Sequence, residues 1–318
     1  MARPNPVTRR DFLKASIAIA AVGAVGAPAL AQDKASKVVD IRNPAWRNAD
    51  HEVNASIVKQ MVEDGVKTFS GKDNIDEAWR SFVSPNEKIC VKFNVLSDNY
   101  TLANQALVDA ITQGLMSAGA KKENLFVVEA VDAAFEGGGE PNLEFGPEIK
   151  IHDQTTRLTR FLTDQIDAII NIPNIKDHSI AGATLSMKNL SHAGGTFMEG
   201  PDRFHPNMCN PYIPEMNSKT PLKDKLRVSI INGLEGVFKG GPETGNPRLR
   251  WPHNGLLIGV DRVALDTVGV KLIDEARAPK GLPPLMRTGT RPVYIQTAAE
   301  MGLGVNDLSK IEWVKKTA

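Results

Sequence analysis

The chain has 318 residues, of which 42% are hydrophobic, 6% aromatic and 24% charged, with a formal net charge of +1. So balanced a charge, with no basic stripe interleaved with aromatics, implies no polyanion partner and argues against a nucleic-acid groove. Only two cysteines are present, Cys90 and Cys209, which excludes a cysteine cluster holding an iron–sulfur centre or a structural zinc.

The first recognisable element is Thr8-Arg9-Arg10-Asp11-Phe12-Leu13-Lys14, followed by a small-residue apolar run from Ala15 to Leu30 that ends in Ala29-Leu30-Ala31. This is the pattern of a twin-arginine export signal over residues 1–31, cleaved after Ala31. Such signals carry proteins already folded across the bacterial inner membrane, so the cargo often collects a cofactor or metal beforehand. The expected site of action is the periplasm, and the expected partner during export is the twin-arginine translocase. Ala15 to Leu30 is too short and too rich in Gly, Ala and Pro to cross a hydrocarbon core about 30 Å thick, so no stable membrane anchor is expected. Cleavage removes Arg3, Arg9, Arg10, Lys14 and Asp11, taking the formal charge from +1 to −2.

Beyond the signal, short β-branched runs alternate with longer amphipathic ones. Val38 to Arg42 reads as a strand, and His51 to Phe69 as a helix with Val53, Ile57, Met61 and Val62 on one face. Lys88 to Val95 is the next strand; Cys90 within it reads as a buried inert thiol, with a Cys90–Cys209 disulfide as the other state open to it. Leu102 to Ala118 is a helix closed by Gly119. Leu125 to Val128 and, weakly, Ile149 to His152 are strands, and Thr155 to Leu162 is a helix. Ala168 to Pro173 is a buried strand whose proline marks its end. Val228 to Ile231 and Leu256 to Val260 are strands, and Val263 to Glu275 a helix. This rhythm predicts an α/β fold: a largely parallel sheet with helices on both faces, residues 32–318 forming a single domain or two lobes with a cleft. Sites in such sheets lie beyond the carboxyl ends of the strands, here after Val95, Ile172, Ile231 and Val260. The glycine-rich loops at 137–139 and 239–245 lack dinucleotide-fingerprint spacing, and no phosphate-loop motif is present.

The chemistry concentrates in residues 174–210, which hold three of the six histidines. A loop leaving the strand and entering a helix near Ala181 would present Lys176 and His178, while Lys188 and His192 lie four apart on one helical face. Arg203-Phe204-His205-Pro206 follows after a Gly-Gly turn. Histidine moves protons near neutral pH or ligates a metal, and a desolvated lysine is nucleophilic or neutralises an anion. The alternative is a solvated helix face with His178 as a cap. His205-Pro206-Asn207-Met208-Cys209 also offers the soft ligands copper prefers, although His205 and Asn210 lining the same pocket as His178 is the favoured reading, with 210–215 as a helix over it. Asp261 and Asp266 form a carboxylate pair at a strand end: Asp261 as the N-cap of the following helix, Asp266 facing the cleft or a buried cation. Lys239 to Asn254, with Arg248, Arg250, Trp251 and His253, is either a lid over an anionic ligand or a surface loop.

Lys176-Asp177-His178-Ser179 followed by Ala181-Gly182-Ala183-Thr184-Leu185-Ser186-Met187-Lys188-Asn189-Leu190 resembles the signature of the family called domain of unknown function 362. Val91-Lys92-Phe93-Asn94 looks like that family's Lys-x-Asn strand end, and Gly259 to Asp266 like its Gly-x-Asp-x-x-Ala-x-Asp turn into a helix, so the resemblance spans nearly the whole mature chain. Lys92, Asn94, Lys188, Asn189, Asp261 and Asp266 are the candidate cofactor-binding positions. Some members carry a ferredoxin-like cysteine cluster; with two cysteines this chain has no iron–sulfur cluster to carry over. A second, local resemblance joins His178-x-x-Ala181-Gly182 and Lys188 to the lactate racemase family, with Thr184-Leu185-Ser186 where that family has Ser-Gly-Gly. It implies Lys188 as the tether of a covalently held nickel cofactor, His178 as an acid/base and His205 as a nickel ligand.

Two classes of function follow. In one, Lys176, His178, Lys188 and His205 are catalytic in a racemase, isomerase or oxidoreductase that performs proton or hydride chemistry on a small anionic substrate, with His178, His192 and His205 available to a metal. In the other, the protein binds a ligand or metal without turnover. Lys92, Lys176 and Lys188 favour a carboxylate or phosphate in either case.

Overall fold

A computed structural model describes residues 36–94, 101–130, 133–192 and 195–318, without the side chains of Thr101, Leu102 and His192. The export signal and the segment following Asn94 lie outside the described residues. In chain order the elements are β1 (Lys37–Arg42), α1 (Ala55–Ser70), α2 (Ile75–Arg80), β2 (Ile89–Lys92), α3 (Thr101–Ser117), β3 (Leu125–Val128), β4 (Phe145–Ile151), β5 (Gln154–Thr159), β6 (Ala168–Asn171), β7 (Asn174–His178), β8 (Gly182–Thr184), α4 (Ser186–His192), α5 (Tyr212–Ser218), α6 (Thr220–Lys225), β9 (Leu226–Val237), β10 (Arg250–Trp251), β11 (Gly255–Gly259), α7 (Arg262–Arg277), α8 (Tyr294–Glu300) and β12 (Glu312–Thr317).

Ten strands form one sheet with the main order β12-β1-β11-β9-β6-β2-β3, and β4 pairs with β5 separately. Four of the six neighbouring pairs on this path are parallel; β11 runs antiparallel to both β1 and β9. Helices cover both faces, as the sequence predicts, and the period of two explains how. Val39, Ile41, Ile89, Val91, Ile170, Ile230 and Ile258 pack on one side against the apolar faces of α1, α2 and α3. Their neighbours Val38, Ile231 and Leu257 pack on the other side against α7, and Cys90 and Ile169 against Leu190 of α4 and Tyr212 and Met216 of α5. A strand apolar on both sides is stable only when both are covered, each fully buried aliphatic side chain contributing about 1.5–3 kcal/mol. On α1, Val58, Met61, Val62, Val66 and Phe69 are buried at helical spacing, Asn54 caps the start, and Gly71 at φ 72° closes the end.

Several expectations are corrected. Thr155 to Leu162 is not a helix: β5 pairs antiparallel with β4 from Ile151↔Gln154 to Phe145↔Thr159, because the threonines of Gln154–Thr159 favour the pleated surface and His152, at φ 55°, turns the chain. No helix begins near Ala181. Residues 174–184 form the β7–β8 hairpin, with Gly182 at φ +81° against the backbone of Arg291 and Pro292, where a Cβ would not fit; the helix starts at Ser186. The strand near Val228 extends to twelve residues. The 239–254 segment is stitched to β9 through β10, with Trp251 paired to Gly236 and Arg250 bonded to Glu235 and to the Thr244 carbonyl. Its His253 is buried and its Nε2 lies 3.1 Å from Asp40. Cys90 and Cys209 are separate buried thiols.

Candidate functional site

The same alternation that covers the sheet sets a row of polar side chains on one face at the ends of β2 and β6. Lys92 lies two residues beyond Cys90, Asn171 two beyond Ile169, and Ser229 two before Ile231, so all three share the face that carries α4 and α7. They are also register neighbours: Lys92 pairs with Asn171 and Asn171 with Ser229. Polar groups so placed are buried and need partners. Asn171 Nδ2 donates to Ser229 Oγ (3.1 Å) and to Ser186 Oγ and O (both 3.2 Å). Its Oδ1 accepts from Asn189 Nδ2 at 2.7 Å. Asn189 Oδ1 accepts from Asn94 Nδ2 at 2.9 Å, and Asn94 Oδ1 accepts from Lys176 Nζ at 3.1 Å. An unbroken chain of side-chain bonds thus joins the strand ends to α4 and to β7.

Asp266 of α7 fixes the start of α4, accepting from the backbone N–H groups of Ser186 (2.7 Å) and Met187 (3.2 Å). Its carboxyl is fully buried, which pushes its pKa up to about 8 against the opposing pull of those two amides. Asp261 instead caps α7, accepting from Val263 and Ala264 N–H at 2.9 Å each, and also holds Val305 N–H at 2.9 Å. Since β11 runs antiparallel, Asp261 does not join the lysine cluster as a strand-end carboxylate; it is a structural cap. Arg262 Nη1 reaches Asn217 O at 3.1 Å, and Asn217 Nδ2 donates to Met187 O and Ser191 Oγ, which locks α5 onto α4.

Lys176, His178 and Lys188 converge, with His205 and Cys209 arriving from the segment before α5. Exposure is 1% at Lys176, 4% at His178 and 6% at Lys188. His178 Nδ1 accepts from Ile180 N–H (3.0 Å) and Ala181 N–H (3.2 Å), which places its proton on Nε2. It therefore caps the hairpin turn, while its ring stacks on that of His205 with centroids 6.1 Å apart. His205 is partly open beside the exposed Asp202, whose carbonyl lies 3.1 Å from Nδ1. The cluster thus runs from surface to interior through stacked imidazoles. Lys188 makes no hydrogen bond or ion pair to a described residue.

Electrostatics reflect the same convergence. Burial, reinforced by the charge of Lys188, brings Lys176 down from 10.5 to about 7. Burial brings Lys188 to about 8, with Lys92 adding to the fall and Cys209 and Asp202 resisting it. His178 falls to about 2 through burial and then the charges of Lys188, His205 and Lys176, so its imidazole is neutral at any physiological pH. His205 is lowered by burial and by Lys188. Burial raises the Cys209 thiol to about 11. Cys209 ends a run of three residues, Asn207 to Cys209, at φ 50–62°, a left-handed path that L-residues rarely follow.

Lys92 sits at the edge of this group, its Nζ 2.9 Å from Glu129 Oε2 and 5.5 Å from the Phe197 ring. Glu129, itself at φ 57°, also accepts from Thr196 Oγ1. Sequence reading passed over Glu129, Asn171 and Ser229. The first directly follows β3 and the second ends β6, so the strand-end rule that selected Lys92 points to both. His192 closes α4, and its side chain lies outside the described residues. Among the described residues no three His, Cys, Asp or Glu side chains are grouped as metal ligands. No described helix is long and apolar enough to cross a membrane.

Residues 6–26 match the family model of the twin-arginine translocation pathway signal sequence, which supports export by the twin-arginine translocase. No curated protein matches the chain. A second match begins within β4 and ends in α7, taking in Lys176, His178, Lys188, Asn189, His205, Asp261 and Asp266 and leaving out Lys92 and Asn94. Residues 147–271, a part of the mature chain and not the whole of it, match the family model described as Domain of unknown function (DUF362).

Proposed function

We propose that this is a periplasmic enzyme, released from its signal after Ala31, that carries out proton chemistry on a small anionic substrate held at Lys176, His178, Lys188 and His205. The observation that carries the reading is the convergence of three buried lysines, Lys92 against Glu129, Lys176 on Asn94, and Lys188, whose amine meets no carboxylate in an ion pair among the described residues. Burying amines is unfavourable unless something negative meets them, and a small carboxylate or phosphate would do so. Lys176 and Lys188 both titrate near neutral pH, where an amine serves equally as proton donor and acceptor. The neutral His178 keeps an Nε2–H to donate to a substrate oxygen. Asn94, Asn171 and Asn189 hold the strand ends and α4 in register beneath the site.

The covalently held nickel cofactor implied for Lys188 would use the same amine. The described donors do not form a metal site, since His178 Nδ1 is taken by two backbone amides, and no step is assigned to nickel. Intact mass of natively exported protein decides the point: an unmodified Lys188 removes the tethered cofactor.

Thermal unfolding of the mature protein with small hydroxy acids, keto acids and phosphates tests binding, and a ligand at a hundred times its Kd raises stability by about 2.7 kcal/mol. Deuterium exchange next to the carboxylate in heavy water then tests turnover. No response to any small anion overturns the site. A bound ligand returned without deuterium overturns catalysis and leaves a binding protein.

A further inference from the structure

Lys188 differs from the other two lysines in the cluster. Lys92 faces Glu129 and Lys176 donates to Asn94, whereas the Lys188 amine has no hydrogen-bond or ion-pair partner among the described residues although 94% of the side chain is buried. It projects from the first turn of α4, whose backbone is held at Ser186 and Met187 by Asp266 and at Met187 and Ser191 by Asn217. It is a nucleophile-type group on a rigid mount, with cations and proton donors around it and Asp202 the carboxylate whose charge it feels, at no ion-pair distance among the described residues.

We propose that Lys188 forms an imine with the carbonyl carbon of a 2-oxo acid, a refinement that rests on the small-anion reading above. The Lys188 Nζ lone pair attacks the carbonyl carbon, the C=O π pair moves to oxygen, and that oxygen takes one of the two Nζ protons to give the neutral carbinolamine. The hydroxyl leaves as water with a proton from the Lys176 ammonium, the nitrogen lone pair forming the C=N bond of the protonated imine, whose remaining Nζ proton can return to the Lys176 amine. Lys176 and Lys188 influence each other's charge, so protonation of one favours the neutral, attacking form of its neighbour. His178 Nε2–H is available to the carbonyl oxygen. The substrate carboxylate adds negative charge beside the lysines, and its carbonyl uses the Lys188 amine, which no described residue bonds. Deprotonation to the attacking form near pH 8 allows the reaction under mild conditions.

The test is reductive trapping of the mature, exported protein with pyruvate or 2-oxoglutarate and sodium cyanoborohydride, which delivers hydride to the imine carbon and leaves a secondary amine. Lys188 should gain the mass of the acid less one oxygen atom, located by peptide mapping. The initial rate at pH 6 should be about fiftyfold below that at pH 8, following the neutral fraction of an amine with a pKa of about 8. The corresponding 2-hydroxy acid, which has no carbonyl, should suppress trapping without adding mass. Lys188→Arg should abolish the adduct; if that variant does not fold, the wild-type peptide map still decides. Modification confined to exposed lysines such as Lys59 and Lys310 overturns the imine. So does a 2-oxo acid that raises the melting temperature but leaves Lys188 unmodified at pH 8, and in that case the anion site stands. Absence of any thermal response to either acid overturns the underlying site itself.

Discussion

Replacing Lys176 with methionine should make the protein more stable in mild acid. The side chain is 1% exposed, and its amine is drawn from 10.5 to about 7, chiefly by burial. Each tenfold change in proton affinity corresponds to about 1.4 kcal/mol, so holding this ammonium inside the fold costs about 5 kcal/mol at most, before local relaxation. The unfolded chain binds the extra proton between pH 7 and 10.5, so the wild type gains stability as pH rises through that window and bears the full penalty below it. Lys176→Met keeps the aliphatic stem and removes the amine, but takes one donor from Asn94 Oδ1, at about 1–3 kcal/mol. The variant should therefore be about 2–4 kcal/mol more stable at pH 6. At pH 9 the wild-type penalty has shrunk to about 2 kcal/mol, leaving the two proteins near parity. Urea unfolding followed by circular dichroism at both pH values measures the difference. Equal destabilisation of Lys176→Met at pH 6 and pH 9 would show that the buried amine is not under electrostatic strain.

Asp261→Ala should lower stability by about 2 kcal/mol, since it removes an N-cap and the bond to Val305, while the thermal shift produced by a bound anion stays unchanged; loss of that shift would put Asp261 in the site. Gly182→Ala should be destabilising by more than about 2 kcal/mol in thermal unfolding, because φ is +81° and the new Cβ would lie 2.5 Å from Pro292 N. Wild-type stability in that variant would mean the β7–β8 turn is not tightly packed. Burial pushes the Cys209 thiol to about 11 and the Cys90 thiol higher still. A thiol-specific disulfide reagent at pH 8 should thus react about a hundredfold more slowly with the native protein than with the urea-unfolded chain, and fast native labelling would contradict that burial.

Much of the fold is readable in the residues themselves. Val38 to Arg42, Leu125 to Val128 and Ala168 to Pro173 announce strands, and the apolar spacing of His51 to Phe69 announces α1, which the structure begins at Ala55 and ends at Ser70, because periodicity is a local property that burial on two faces reinforces. Strand direction is not local. Leu256 to Gly259 looks the same parallel or antiparallel, so the reversal of β11 and the resulting role of Asp261 appear only when β1 and β9 are in place. Threonines at 155, 156 and 159 fit a helix face by spacing but prefer the pleat once β4 offers a partner. At the site, Lys176, His178, Lys188 and His205 stand out by residue type and their convergence follows from the strand-end rule. Asn171 and Ser229 are inconspicuous in the sequence because a lone polar residue in an apolar run gives no sign of what it will bond to.

The pairing of β1 with β12, Lys37 against Glu312 through Arg42 against Thr317, has a consequence for biosynthesis. The strand nearest the export signal finds its outer neighbour only after about 270 further residues have left the ribosome, a separation read directly from that register. Until then one margin of β1 stays open to unwanted association. Closing that margin is thus a late, whole-chain event, which suits a secretion route that accepts finished cargo: a passenger whose sheet is zipped has, of necessity, already been synthesised through β12.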